Sequence, residues 1–534
     1  MATAIIKNEK FREILILGGI LLLAVFFRFW MLDAVPPGLY PDVAQNGVDA
    51  QTANDTGNYQ VFYPANNGRE GLFINLQAFS LMLFGDSVWS LKAVAAAFGV
   101  LTVLGVYFLA REVFNKNVAV ISSALLAVSF WHVLFSRLGF RAISLLFFMV
   151  WAFYFLFKAV KANQWWQFVG AGVMFGLALH TYIASRIVPV VLAVVLAAFW
   201  LTQKGFLKQY WKQIWAVFVL MAIIFWPLYS YFKTHPGAAA SRTADVSILN
   251  PEVNKGDLIG TAIKTTTLTL GQFNFKGDAN WRHNQAGWPQ LLVPVGLLFL
   301  GGLFLAIGRF FSSLRRRSKE LPAYTFLLAG FGAMLLPSLL TQEGLPHALR
   351  SIGAIPFAFL FAGLFGDFIW QKTKKNRKKL VLGLGIALFA LTAIIEGYRY
   401  FGMWGKDINT YGAYAQNIKN IGDYIEKPLF GPSNYDVIVN ASGENVDGVP
   451  VAAATVKFLT HNKKGVIVKY HNVEDIDQID CSVYCNIIFI QNDTELEKKV
   501  AQKFPKGIFY TVDLVPGTNS EFRGYKVTPE NIIY

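Results

Sequence analysis

Charge is scarce in this sequence. Asp, Glu, Lys and Arg together make up 15% of its 534 residues, while 54% are hydrophobic; soluble domains carry about 25% charged residues. A soluble globular protein is therefore excluded. Cysteine is scarcer still, with only Cys481 and Cys485. Two cysteines cannot build a disulfide scaffold, and CSVYC is not a zinc pattern. A local disulfide between them stays open, although a separation of four residues is marginal geometry. No Gly-rich phosphate loop leads into a helix, which argues against a nucleotide-linked substrate. No His, Cys, Asp or Glu spacing marks a metal site. Internal repeats and low-complexity segments are absent. No small-residue cleavage site follows the first apolar run, Ile14 to Leu32, so it reads as a retained helix rather than a signal peptide.

What is present is a series of apolar runs, most close to the length of about 20 residues that crosses a bilayer. Eleven can be placed, at 14–32, 88–110, 117–135, 141–158, 165–181, 187–202, 213–232, 290–311, 322–340, 350–370 and 380–397. With the N-terminus in the cytoplasm, alternation puts every strongly basic loop on one side. These loops hold Lys7, Lys10 and Arg12; Arg111 and Lys116; Lys158 and Lys161; Lys204, Lys208 and Lys212; Arg315 to Lys319; and the run KKNRKK at 374–379. The positive-inside rule thus accounts for the net charge of +15, and no nucleic-acid partner is implied.

The opposite face carries isolated charges inside compact motifs: NGRE (67–70), SRLGFR (136–141), HTYIASR (180–186) and QEGLPHALR (342–350). Ionisable residues at membrane depth are costly and are functional suspects, whereas snorkelling to headgroups is the plain alternative for any single arginine. Segment 71–86 is apolar but short, and reads as a helix lying on the outer surface. The polar stretch 233–289, with HPGAAASRTADVSIL and GDANWRHN, reads as a folded external cap. Past residue 397 the composition turns soluble. An amphipathic helix at 408–426 precedes strands at YDVIVNA, GVIVKYH, CNIIFIQ and GIFYTVDL, alternating with helices at 450–461 and 493–504, the pattern of an α/β domain.

The stretch PPGLYPDVAQNGVDAQTAND, 36–55, follows directly on the first apolar run, is acidic, and contains no Lys or Arg. A carboxylate just outside a first membrane helix, with arginines on the same face, suits one chemistry well. Arginine pairs bidentately with phosphate, and a carboxylate can take the proton of an incoming nucleophile. Together they fit transfer of a group from a lipid phosphate at headgroup depth. Asp42 also suits the N-cap of a helix beginning near Val43.

PPGLYPDVAQNGVDA resembles the first external loop of the GT-C superfamily, in the family 39-like branch that includes protein O-mannosyltransferases and lipid A aminoarabinose transferases. NGREGLF, FSRLGFR, HTYIASR, GDANWRHN and PHALRSIGAIP follow in the family's order. The resemblance implies an α-helical polytopic membrane protein of the GT-C fold, with about 11 transmembrane helices and a C-terminal external α/β domain. The transmembrane catalytic module would span 1–397, with external loops 33–87 and 233–289, and the external domain 398–534.

The implied activity is a membrane glycosyltransferase that moves a sugar from a polyprenyl-phosphate-linked donor to a protein, lipid or glycan acceptor, with inversion. Asp42 maps onto the family's catalytic Asp, here followed by Val43 where many members have Glu. Arg137, Arg141, Arg186 and Arg350 are candidates for the donor phosphate. Arg69, Glu70, Glu343 and His347 are candidates for substrate contact or a second acid. Asp278, Arg282 and Asn284, with Trp281 and His283 beside them, are candidates for the acceptor cleft. No cofactor is certain, and a divalent cation stays open. The setting expected is the plasma membrane, with the N-terminus cytoplasmic and both the active site and the C-terminal domain extracytoplasmic. The competing readings are a lipid-linked glycan ligase or polymerase, and a lipid or sugar transporter.

Overall fold

A computed structural model describes residues 2–238, 246–427, 433–482 and 484–528. The middle of the HPGAAASRTADVSIL motif, 239–245, lies outside the described residues. The chain divides into two compact units. The first comprises Met1–Trp30 and Lys92–Gly402; the second comprises Met31–Leu91 and Met403–Tyr534. The sequence grouped loop 33–87 with the membrane helices, whereas contacts group it with the C-terminal segment.

The first unit is predominantly helical among the described residues. Among the described residues, eight helices are long and apolar enough to cross a membrane, or nine if the bent pair Lys116–Val128 and Phe130–Arg137 is one span. The two other runs read from the sequence are helices as well. Ala2–Phe29 carries Arg12 and Glu13 before its apolar run and Arg28 within it, and Trp165–Ala178 has only 14 residues. Helices suit a lipid setting because their backbone bonds are satisfied within the segment. In Ala142–Ala162 and Ile352–Lys372, 78% of the apolar window is buried, against 11% in Phe206–Thr234 and Lys375–Lys406. Leu380, Leu382, Leu384, Ile386 and Ile394 of the last are exposed together, a surface that only lipid or a partner covers favourably. Small residues set the closest approaches, since dispersion contacts do the packing in lipid. At Gly302 a β-carbon would run into the Phe361 carbonyl, so helix Val293–Arg316 rests directly on the backbone of Ile355–Lys372.

The pair Lys116–Val128 and Phe130–Arg137 bends by 58° at Ser129. A break of this kind leaves carbonyls without helical partners. Arg28, fully buried, donates to the carbonyls of Ala127 (2.8 Å) and Leu126 (3.3 Å), and to His132 Nδ1 at 2.6 Å. The buried arginine thus holds the bend.

The second unit contains the α/β fold expected for the C-terminus. A five-stranded sheet runs in spatial order Val466–Asn472, Ser433–Val439, Cys485–Phe489, Phe522–Val527, Ile508–Val512. The first three strands are parallel, and the last two are added antiparallel. Ile418, Ile421 and Ile425 pack one face against Val437, Val439 and Ile488; Leu496 and Val500 pack the other against Ile438, Ile487 and Phe489. Cys481 and Cys485 form a disulfide. The helix expected at 408–426 is two helices, Ile408–Ala413 and Gln416–Glu426, separated by Ala415 at φ 52°. The first loop joins this unit through helix Pro41–Thr56. Gln51 Nε2 donates to the Phe458 carbonyl (3.1 Å), and Thr455 Oγ1 to that of Leu39 (3.0 Å). Segment 71–86 is helix Gly71–Phe84, 14 residues and so too short to span. It exposes Phe79, Met82, Leu83 and Phe84.

Candidate functional site

In the second unit, the helix begins at Pro41, with Tyr40 as N-cap. Asp42 therefore lies inside the first turn and is not the cap of a helix starting at Val43. Proline is preorganised for that opening position, and an acid in the first turn is favoured by the helix dipole. Asp42 is exposed, and its Oδ1 accepts a hydrogen bond from Asn66 Nδ2 at 2.9 Å. Asn66, Asn67 and Gly68 all have positive φ, a turn suited to these residue types. That turn closes the short hairpin pairing Phe62–Tyr63 with Arg69–Glu70.

Arg69 is engaged within its own fold. It is 2% exposed, and its guanidinium reaches Asp49 Oδ2 at 2.6 Å, Asn46 Oδ1 at 2.7 Å and the Ala65 carbonyl at 3.1 Å. It fixes the hairpin onto helix Pro41–Thr56. Burial pushes the Asp49 carboxyl above its usual range, against the downward pull of Arg69. Glu70 is buried as well, at the N-cap of Gly71–Phe84.

In the first unit, the four arginines expected at a donor phosphate have different surroundings. Arg137 is fully buried; it donates to the Phe27 carbonyl at 2.9 Å and lies over the Tyr400 and Phe401 rings. Its enclosure departs from the accessible phosphate contact expected. Arg141 is half-buried over Tyr182, and Arg186 is exposed beside Phe232. Arg350 forks onto Glu343, reaching its carboxylate at 2.6 Å and its carbonyl at 2.8 Å, so these two candidates pair with each other.

The GDANWRHN and LPHALR motifs meet through Asp278. Its Oδ1 accepts from the Asn280 backbone (2.8 Å) and its Oδ2 from the Ala348 backbone (2.9 Å). His283 Nδ1 and His347 Nδ1 lie 3.3 and 4.0 Å from the same Oδ2. Burial raises the Asp278 carboxyl, but the adjacent His283 and His347 outweigh this and hold it below the usual range. Burial and the neighbouring His283 and Arg350 charges bring His347 down to about 3, leaving it neutral.

Asn284, expected at the acceptor cleft, is committed to internal hydrogen bonds. It is fully buried, donates to the Asp278 and Trp288 carbonyls, and accepts from Arg399 at 3.0 Å. Arg282 is half-buried, with Nε 3.2 Å from Asn280 Oδ1. The sequence reading missed Arg399, which is buried over Phe130 and bonded to Gln285 and Asn284, and also Arg28. For Arg28 the signal was present, an arginine inside the first apolar run.

The family described as dolichyl-phosphate-mannose-protein mannosyltransferase matches residues 72–231, under a third of the chain. No curated protein matches significantly in sequence. Solved structures match over most of the chain. The apo oligosaccharyltransferase of Archaeoglobus fulgidus gives a TM-score of 0.56 at 17% identity, covering 95% of this chain and 70% of that one. The archaeal AglB in complex with an inhibitory peptide and a dolichol-phosphate gives 0.52 at 16%, over 98% and 75%. ArnT from Cupriavidus metallidurans bound to undecaprenyl phosphate gives 0.55 at 13%, over 96% and 97%. At such identities the likeness is one of fold, and the fold is that of membrane-embedded glycosyl-transferring enzymes. The family match over residues 72–231 agrees with this likeness, so by both comparisons the chain is similar to membrane glycosyltransferases that use lipid-linked donors.

Proposed function

We propose that this enzyme transfers a sugar from a polyprenyl-phosphate-linked donor to an acceptor nucleophile in a single inverting displacement, with Asp42 as general base. The observation that carries the assignment is the contrast along one helix. Asp49 is committed to Arg69, while Asp42 is exposed and held in one orientation by Asn66. A base needs that combination of access and fixed geometry. The departing group is a lipid phosphate, whose charge grows as the glycosidic bond breaks; guanidinium groups aimed at it act where the transition state needs them. Arg186 and Arg141, with exposed or half-buried side chains, suit this better than Arg137. Arg350 suits it after exchanging Glu343 for phosphate. The donor class is supported by the polyprenyl phosphates bound in the fold relatives.

The basic loops favour a plasma-membrane protein with a cytoplasmic N-terminus and the reaction on the opposite face. The acceptor is a protein, lipid or glycan group entering from water. The test compares wild type with Asp42→Asn in detergent. A mixture of polyprenyl-phosphate sugars is presented, and release of free polyprenyl phosphate is followed with and without chelator. The reading requires turnover by wild type, and donor binding without turnover by the variant. Equal turnover by both would move the base elsewhere.

A further inference from the structure

Asp278, His283 and His347 present one ligand atom each, all within 4.8 Å of one another. We propose that they form a binding site for a single divalent transition ion of the zinc type. The donor set is two imidazoles and one carboxylate, the composition of zinc sites that keep an open position. With metal–ligand bonds of about 2.0–2.2 Å, the edge of a tetrahedron is roughly 3.3–3.6 Å. Asp278 Oδ2 and His283 Nδ1 already stand 3.3 Å apart, and His347 Nδ1 at 4.0 Å closes the set with a small ring movement.

The polar bookkeeping at this cluster calls for a cation. Asp278 is 2% exposed, and among the described residues no lysine or arginine pairs with it. The nearby Arg350 is turned onto Glu343. His283 is 6% exposed, and its Nδ1 is buried without a hydrogen bond. His347 Nδ1 lies 4.0 Å from Asp278 Oδ2, and its long hydrogen bond from the Arg350 backbone N–H, 3.4 Å, is the contact that a metal bond there would replace. The carboxylate is also oriented as a ligand should be. Backbone N–H groups of Asn280 and Ala348 hold its two oxygens, the outer-shell support that fixes a metal ligand. The two histidines come from separate loops, so the ion would clamp GDANWRHN to LPHALR.

The proposal does not depend on the transferase reading, and its test reads metal, not turnover. Purified full-length protein is stripped with chelator, equilibrated with Zn²⁺, freed of unbound ion and analysed for metal content. In parallel it is loaded with Co²⁺ and its visible spectrum recorded. One ion per chain is expected, with the visible bands of low-coordinate cobalt. His283→Ala, His347→Ala and Asp278→Asn should each weaken binding by more than the roughly 10–100-fold that loss of an outer-shell partner costs. His471→Ala, at a histidine paired with Asp436 in the other unit, should bind as wild type. Should the alanine variants elute as aggregates, His347→Cys serves in their place; it keeps a metal ligand, and cobalt bound there must gain a thiolate charge-transfer band. Absence of a stoichiometric ion in wild type, unchanged binding in the variants, or a cobalt spectrum indifferent to His347→Cys each overturns the site.

Discussion

The guanidinium of Arg69 and the carboxylate of Asp49 meet at 2.6 Å inside the second unit, with Arg69 2% exposed. The contact joins the hairpin to helix Pro41–Thr56, which also carries Asp42. Removing one partner of a buried pair leaves the other charge uncompensated. Arg69→Ala should therefore lose about 3–5 kcal/mol of stability, read as a lowered midpoint in denaturant or heat. A loss below about 1 kcal/mol, the value of an exposed pair, would mean that the contact does not hold the hairpin.

The same pair gives a pH signature. Burial raises the Asp49 carboxyl above its ordinary value of 3.8 in the folded state. The native protein then binds more protons than the unfolded chain just above that value. The associated stability is fully present below 3.8 and is lost as pH rises through the folded value. Asp49→Asn cannot titrate. The stability difference, wild type minus variant, should therefore fall as pH rises from about 4 and level off once the carboxyl is ionised. Melting both proteins across this range checks the sign; a rising difference would show that Arg69 outweighs burial.

Arg28 offers a test of how the bent helix pair is held. It supplies hydrogen bonds to Leu126, Ala127 and His132 in a water-excluded setting. Arg28→Met preserves much of the volume but leaves those acceptors unsatisfied, each worth about 1–3 kcal/mol. The variant should unfold at markedly lower temperature in detergent, and activity per folded molecule should fall with it. Wild-type stability would mean that the bend at Ser129 does not depend on the arginine.

The elements legible in the sequence are those with strong periodicity. All eleven apolar runs are helices, because a bilayer-length apolar segment has few alternatives. The α/β alternation was legible for the same reason, except for strand Phe522–Val527. Its FRGYKV carries a glycine in mid-strand and two charges, so its pattern is weak, and pairing with Cys485–Phe489 and Ile508–Val512 supplies what local preference does not. The site was legible only as motifs. Nothing local separates a buried arginine bound to a carboxylate in its own fold, such as Arg69, from an exposed one, such as Arg186. The Asp278, His283 and His347 cluster was invisible to spacing, because 64 positions separate its two histidines and a backbone contact at Ala348 brings their loops together.

Gly38 lies at the start of the first loop with φ +70°, and a β-carbon there would strike the carbonyl oxygen of Tyr414. Two costs combine in Gly38→Ala: the left-handed backbone, about 1–2 kcal/mol for a residue with a side chain, and displacement of a backbone atom that cannot swing aside. Gly57, at the end of helix Pro41–Thr56, has the same φ of +70° but nothing within 4 Å of its β-carbon position. Gly57→Ala pays only the backbone term and serves as the internal control. The expected result is a loss of about 1 kcal/mol for Gly57→Ala and of more than about 3 kcal/mol for Gly38→Ala, read from unfolding of the two variants beside wild type. The difference isolates the contact between the first loop and the segment after Met403, the packing that places Asp42's loop in the same unit as the C-terminal sheet. Equal losses would mean that this contact yields without cost, and that the loop is held by Thr455 and Gln51 alone.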